Sequence, residues 1–418
     1  MRVRLKIHGL HLLMLCFLMV CGCATFRPSP NKKVSFKDRA QTQFKDKIRV
    51  TAAVLSAEES QAVFDLPLYS QGIQPVWLEI ENNNEKTVWF TPVGLDPDYF
   101  APLEVAYMNR SMFSGETNKK MNEYLHAHAM KNQITPNGIN SGFVFTHLDM
   151  GTKAFNVDVI GEDTPIRTFT FFIPVPGLMV SHQEIDWESL YKEQDVLRLE
   201  DEESLRKALE RLPCCPTDKD GKQKADPLNI VFVSTGEDLH LVLIRSGWNE
   251  TARLDSSAAS ETKGFTGYAG ATRYASVIPF FLFGRPQDAA FRKIRETGNE
   301  QNQIRLWLSP ILFKGKTVWV GQISRDIKVR YKLKIEPLVD EARTYIFQDI
   351  LYSNALEKYG YVKGVGAATQ SNPRKTLQGD SYFTDGYRAV MWVTGNPTSF
   401  SEIEFLDWET PGHRGDDD

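Results

Sequence analysis

Gln303-Ile-Arg-Leu-Trp-Leu-Ser-Pro310 and Lys316-Thr-Val-Trp-Val-Gly-Gln-Ile-Ser-Arg-Asp326 are rich in β-branched and aromatic residues and read as strands over 303 to 308 and 317 to 323. Working outward, Asn229-Ile-Val-Phe-Val233 has the character of a buried strand, and 276 to 283, 328 to 335 and 387 to 393 add three more. These runs are expected to form one mixed sheet, with helices at about 237 to 246 and 338 to 358 packed on a face. In the first helix Leu239, Val242 and Leu243 share a face, Ser234 or Thr235 can cap, and Gly247 can end it. The second has Pro337 near its start, Asp340 and Glu341 in its first turn, and Gly360 past its end.

Upstream the pattern changes. Ile48 to Val54 and Val76 to Glu81 alternate apolar and polar, the latter ending in Asn82-Asn83-Asn84. Further strand-like runs follow at Val88 to Phe90, Gly142 to Thr146, Ala154 to Ile160 and Arg167 to Pro174. Short strands at this spacing suggest a β-sandwich of immunoglobulin-like architecture, although its paired cysteines are absent. The fold class is thus α+β overall, an N-terminal immunoglobulin-like β-sandwich followed by a mixed α/β carboxy-terminal domain. Trp187 to Leu199 and Asp201 to Leu212 have helical character; in the latter Leu205, Leu209 and Leu212 fall on one face and Pro213 stops it. The organisation that follows is 1–22 leader, 23–47 flexible polar tether, 48–177 sandwich, 178–227 helical linker, 228–395 carboxy-terminal domain and 396–418 polar tail.

The leader is legible residue by residue. Arg2, Arg4 and Lys6 precede the apolar run Leu10 to Val20, which is too short to span a bilayer and has the form of a secretory signal. It ends in Val20-Cys21-Gly22-Cys23, which resembles a lipobox, making Cys23 the expected lipidation site. Acylation with two or more chains would anchor the protein stably. Ala24 after the cysteine implies passage to the outer membrane in typical Gram-negative sorting, so the expected location is membrane-anchored, facing the periplasm.

The chain holds 49 basic and 53 acidic residues, and losing the three leader cations leaves 46 against 53, a charge of about −7 that disfavours nucleic acid as partner. Against that background, Arg285 to Lys334 has twelve cations and four acids. Such asymmetry favours an anionic partner, a phosphate, lipid headgroup or acidic protein face. Lys328, Arg330, Lys332 and Lys334 alternate with apolar residues, which on one strand sets four cations on a single face. That face is either solvated, discouraging edge pairing, or a binding surface.

Arg285, Gln287, Asp288, Arg305, Trp307, Arg325 and Asp326 are the candidate ligand-binding residues. Gly284 permits a sharp turn, alternation puts Trp307 on the strand face of Arg305, and arginines and aspartates gathered at strand ends are costly unless they pair or bind something. The rival reading is a structural ion-pair network. Asp340, Asp380 and Asp385, with Asp326, form a candidate acidic site that could hold a divalent cation if the fold gathers them; otherwise they are turn residues. No H-E-x-x-H, no G-x-S-x-G and no His or Cys cluster with ligand spacing occurs, so neither a metal nor a cofactor is expected. His126 and His128, two apart in a helical stretch, read as solvated surface, and so does His240. Cys214 and Cys215 read either as a strained vicinal disulfide or as two thiols.

The ordered motifs Gly284-Arg-Pro-Gln-Asp288, Arg305-Leu-Trp307, Val318-Trp-Val-Gly321 with Ser324-Arg-Asp326, Asp340-x-x-Arg343 and Gly379-Asp-Ser-Tyr-Phe-Thr-Asp-Gly386 resemble the LssY carboxy-terminal domain family over about Leu205 to Trp392. The resemblance implies work at an envelope, since some members look associated with membrane enzymes of the phospholipid-phosphatase kind or with secretion loci. Members often carry a histidine before the R-L-W strand and another before the D-x-x-R helix. Here Gln303 and the Lys334-Ile335 region stand in those places, and the segment after Arg325-Asp326 looks shortened. The function expected is therefore a membrane-anchored envelope protein that binds an anionic ligand or an envelope partner. The alternative is a hydrolase acting on lipid-phosphate or related substrates.

Overall fold

The structure is a computed structural model that describes residues 26–28, 35–162, 164–176, 180, 185, 189–252, 274–295, 300–329 and 332–411. The leader, Cys23, Trp187, Arg330, Tyr331 and the end of the polar tail lie outside the described residues. Two compact units are present, Met1–Leu148 with Asn156–Phe169, and Asp149–Phe155 with Thr170–Asp418.

The first unit has strands β1 (Gln41–Lys45), β2 (Ile48–Val54), β3 (Ile73–Asn82), β4 (Val88–Thr91), β5 (Gln133–Ile134), β6 (Gly138–His147), β7 (Thr152–Gly161) and β8 (Thr164–Pro174), the last two continuing into the second unit. They form two four-stranded sheets, ordered β1-β2-β3-β6 and β5-β4-β7-β8, consistent with a β-sandwich. Three helices, α1 (Ala57–Phe64), α2 (Pro102–Met108) and α3 (Gly115–His128), lie between the strands. Phe64, Val105, Met121 and Leu125 from these helices pack with Trp77, Phe143 and Phe145 of the first sheet. Local capping sets where the helices begin. Ser56 and Glu59 form a reciprocal capping box at α1, and the Ser114 hydroxyl accepts from the Thr117 amide at α3. His126 and His128 lie on α3, with His126 exposed and His128 Nδ1 2.8 Å from the Tyr124 carbonyl oxygen. The stretch read as a tether is folded from Ser35 onward. Phe36 buries beside Trp77 and β1 pairs along β2, because an apolar ring and an open sheet edge outweigh the polar composition around them.

The second unit contains β9 (Leu197–Leu199), α4 (Glu202–Glu210), β10 (Ile230–Ser234), α5 (Gly236–Arg245), β11 (Asn249–Glu250), β12 (Phe281–Leu282), β13 (Arg285–Pro286), β14 (Ala289–Ile294), β15 (Glu300–Phe313), β16 (Lys316–Val329), β17 (Lys332–Ile335), α6 (Asp340–Tyr352), β18 (Leu356–Lys363), β19 (Arg374–Lys375), β20 (Ser381–Tyr382), β21 (Tyr387–Val393) and β22 (Glu404–Phe405). One mixed sheet runs β11-β14-β15-β16-β10-β21-β18-β22, with β17 on β16 and β9 on β15. β10 and β21 are parallel, whereas β10, β15 and β16 pair antiparallel. On one face, Phe232, Ile304, Leu306, Ile323 and Met391 meet Leu239 and Leu243 of α5 and Ala342, Ile346 and Ile350 of α6. On the other, Leu205 and Leu209 of α4 cover Val231, Val233, Val318, Val390 and Trp392. Gly321 lies where the strands pack closely: a Cβ there would come within 2.7 Å of Leu306 and 2.8 Å of Ile230.

Several expectations are corrected. The second helix is Asp340–Tyr352 rather than 338 to 358; Asn354 turns the chain at φ 55° and Gly360 lies within β18, where Leu406 packs over it. The described part of Trp187 to Leu199 is a 3₁₀ turn followed by β9, not a helix. From 276 to 283 only Phe281–Leu282 is strand, in a hairpin with Arg285–Pro286 whose central Phe283 and Gly284 have φ of 53° and 78°. The run 328 to 335 is not one strand with four cations on a face. β16 ends at Val329 and β17 folds back on it, pairing Ile327 with Lys334 and Lys328 with Leu333. His240 is buried among Phe172, Phe291 and Trp319, not on the surface, because α5 is apolar nearly all round.

One buried cation joins the parts. Arg388 of β21 is fully buried and donates to the carbonyl oxygens of Leu228 (2.9 Å), Leu209 (2.5 Å), Leu212 (3.1 Å), Pro213 (2.5 Å) and Gly364 (3.2 Å). Burial lowers its pKa to about 10, still far above neutrality. Arg388→Met fills similar space but leaves those acceptors dry, so unfolding of the second unit in urea is expected to lose roughly 3–5 kcal/mol. An unchanged midpoint would show that the carbonyls find other donors.

Candidate functional site

Along β15 and β16 the face opposite the two-helix core changes character. Trp307 and Val320 are apolar and pack with Leu228, Phe280 and Leu282, but the positions that continue their rows are Arg305, Gln303, Gln322, Ser324 and Asp326. Arg305, Gln303, Ser324 and Asp326, with Arg292 on β14, Asp226 and Asp380, line a cavity of about 290 Å³ walled by Ile278, Phe280, Leu333 and Ile335, while Gln322 is buried against Arg305. A polar lining inside an otherwise apolar sheet face must be satisfied by neighbours or by something bound.

Most of the lining is tied together. Arg305 is buried, with Nε donating to the Ile278 carbonyl oxygen at 3.1 Å, Nη1 to Gln322 Oε1 at 2.8 Å, and its guanidinium 4.2 Å from the Phe280 ring centre. Gln303 and Gln301 donate to Asp326 Oδ2 at 2.6 and 3.0 Å. Gln322 Nε2 makes a long 3.4 Å bond to Asp226 Oδ2. The other oxygen of Asp226, Oδ1, is buried with no hydrogen-bond partner among the described residues, although the residue is only 5% exposed. Burial pushes its carboxyl up to about 6, against the pull of Arg305 and with Asp326 and Asp380 adding to the rise. Burial also lowers Arg305, to about 10, and lowers Arg292.

The structure divides the candidate residues. Arg305 and Asp326 line the cavity, as does Asp380. Arg285 does not: its Nε and Nη2 meet Asp288 Oδ1 and Oδ2 at 2.8 Å each, while Nη1 donates to Tyr191 and Nη2 also to the Leu308 carbonyl, an ion pair that fixes the β12–β13 hairpin. Gln287 accepts from the Phe280 amide. Trp307 is on the strand face of Arg305 but fully buried in the apolar cluster. Arg325 is on the opposite face, against Asn302, Glu336 and the Tyr345 ring. Arg305 pairs with Gln322 and shares its face, and Arg325, three positions along the same strand from Gln322, points to the other side, so Arg305 and Arg325 cannot share a pocket.

The acidic set also separates. Asp340 accepts from the Thr384 hydroxyl and the Asp385 amide at 2.8 Å each, and Asp385 takes a bidentate grip from Arg343 at 2.8 and 2.5 Å. This network locks α6 to the loop before β21. No group of three or more metal-ligating side chains occurs among the described residues. Cys214 and Cys215 are both free thiols, Cys214 half-buried and Cys215 buried. Cys215 donating to it, helped by Lys224 and Arg374, lowers Cys214 to about 6.

Sequence reasoning missed Asp226 and Arg292 as lining residues, and Gln322 as the partner of Arg305. Asp226 read as part of a polar loop, and Arg292 as one more charge in a basic region. A signal was present: β15 and β16 carry Arg, Gln, Ser and Asp at successive positions of the side opposite Ile304, Leu306 and Ile323. Gln303 and Ile335 both line the cavity.

These features define an α+β domain with a polar cavity set into one face of a mixed sheet. Residues 206–387 match the sequence model of the family described as LssY C-terminus, and this part of the chain belongs to that family. No curated protein matches the chain.

Asp226 has a measurable consequence. The folded state binds its proton more tightly than an unfolded chain near 3.8, so this group's contribution to stability falls as pH rises from about 4 to about 6. That gap corresponds to about 3 kcal/mol, fully felt above pH 6. Asp226→Asn is expected to raise the melting temperature of the second unit at pH 7.5, with the gain gone near pH 4; equal effects at both pH values would place Asp226 in contact with water.

Proposed function

We propose that the second unit is a binding module for a small polar ligand, carried by an envelope lipoprotein anchored through Cys23. The observation that carries the binding reading is Asp226, a buried carboxyl with an oxygen lacking a hydrogen-bond partner among the described residues, at a cavity that Arg305 also lines. The lining sets three carboxyls, Asp226, Asp326 and Asp380, against two guanidiniums, Arg292 and Arg305. That balance suits a ligand offering both donors and acceptors, a hydroxyl-rich or zwitterionic group, better than a simple anion. The anchor reading rests on the order of basic residues, apolar run and Val20-Cys21-Gly22-Cys23. Among the described residues no helix is long and apolar enough to cross a membrane.

Hydrolysis is the second reading, and one observation favours it. A carboxyl near 6 beside other carboxyls is a plausible proton donor and acceptor at neutral pH. A lipid-phosphate substrate fits less well, because the described cavity presents no histidine and more acid than base.

Calorimetric titration of the full chain with inorganic phosphate, phosphoethanolamine and N-acetylglucosamine separates these readings. Phosphoethanolamine or the sugar is expected to bind at pH 7.5, and Arg305→Lys or Asp226→Asn to weaken binding tenfold or more, about 1.4 kcal/mol. Arg285→Lys should lower only thermal stability. Tight binding of phosphate alone would restore the anion reading, and turnover of a phosphodiester or glycoside probe would establish the hydrolase.

A further inference from the structure

α2 exposes apolar side chains as well as burying them, and Glu104 on its exposed side is engaged at the helix start, accepting from the Ala101 amide at 3.0 Å. Val105 and Ala106 are buried against the first sheet's core, while Leu103, Tyr107 and Met108 are 42%, 55% and 44% exposed. The exposed apolar surface continues along the chain with Val93, Tyr99 and Met112. Large apolar side chains exposed together in one short stretch of chain mark a contact surface. It is firmly held: Asn109 bonds Gln71 and the Val105 carbonyl, and Asn118 bonds the carbonyls of Arg110 and Phe113.

The start of the described chain indicates the occupant. Phe26 packs edge-on against Phe113 and Tyr124, with ring centres 6.0 and 5.7 Å apart, and the Arg27 amide donates to Asp65 at 2.7 Å. Phe113 directly follows Met112. Cys23 is three residues before Phe26, so its Cα is within about 11 Å of that of Phe26 even in a fully extended chain. Acyl chains on Cys23 would therefore enter the bilayer beside the patch. The patch chemistry suits an interface: two tyrosines, leucine and methionines, with the Arg110 guanidinium 3.5 Å from the Tyr107 ring centre.

We infer that the exposed face of Leu103, Tyr107, Met108 and Met112 is a membrane-contact surface that seats the first unit on the leaflet holding its lipid anchor. The inference rests on the Cys23 reading, and gives the segment after the cysteine the role of a short strap rather than a spacer. Phe26, clamped between Phe113 and Tyr124, keeps the anchor and the patch on one side.

The test uses acylated full-length protein in vesicles of phosphatidylethanolamine and phosphatidylglycerol. A ketone-bearing amino acid carries a spin label at position 103, 107 or 112, with a control at exposed Glu85, and mass spectrometry reads the state of Cys23. The ratio of relaxation by oxygen to relaxation by a water-soluble nickel chelate is expected to be several-fold higher at the three patch positions than at 85. Leu103→Asp with Tyr107→Asp should leave the protein anchored yet open position 112 to nickel. Equal ratios with Cys23 acylated overturn the membrane contact alone; equal ratios with Cys23 unmodified overturn the anchor and the inference together. Labels shielded in native envelope fragments but open on pure vesicles mean that a protein covers the patch, which also overturns it.

Discussion

The Arg388 guanidinium, closed off from water and spent on backbone carbonyls, is the constraint around which the second unit is organised. Its acceptors come from the end of α4, the Pro213 turn, the entry to β10 and the exit of β18, segments far apart in sequence that would otherwise end in unsatisfied carbonyls. Taking a charge out of water is tolerable only with such complete coordination. The arrangement fixes the loop carrying Cys214 and Cys215 and the path of the chain from α4 to Asp226. A second guanidinium does comparable work elsewhere: Arg343 binds Asp385 and the Tyr387 carbonyl, holding α6 to the loop that carries Asp380.

These two anchors leave the sheet with unequal faces. One is sealed by α5 and α6 over an apolar cluster, with Arg325 and Asn302 on the same side against Tyr345. The other is covered by α4 over the central strands and by the 274–283 and 226–228 segments farther along, and beyond Trp307 and Val320 apolar cover gives way to the polar cavity. Arg305 stands at the boundary, its ring partner Phe280 belonging to the apolar cluster and its hydrogen bonds to the polar lining. Its burial and that of Asp226 make the cavity electrostatically tense: each holds the other's charge, yet an Asp226 oxygen is left over.

Sequence alone determined the elements whose signals are local. Apolar runs at 229 to 233, 303 to 308, 317 to 323 and 387 to 393 became strands of one mixed sheet, and α5 and α6 packed on it, because side-chain periodicity and capping act within a few residues. The family resemblance was legible for the same reason, being carried by short ordered motifs. Tertiary structure alone decided which charged residues meet. Arg285 closes on Asp288 three residues away, whereas Asp226, Arg292, Arg305 and Asp326 converge from four separate segments, and strand parity sends neighbouring Arg325 to the opposite face. It also decided that 328 to 335 doubles back, that the helix after Asp340 stops at Tyr352, and that Phe26 docks on Phe113. The physical reason is common to all of these. Burial and pairing are properties of contacts between distant segments, and a guanidinium reads the same in a sequence whether its partner is water, an aspartate, a row of carbonyls or a ligand.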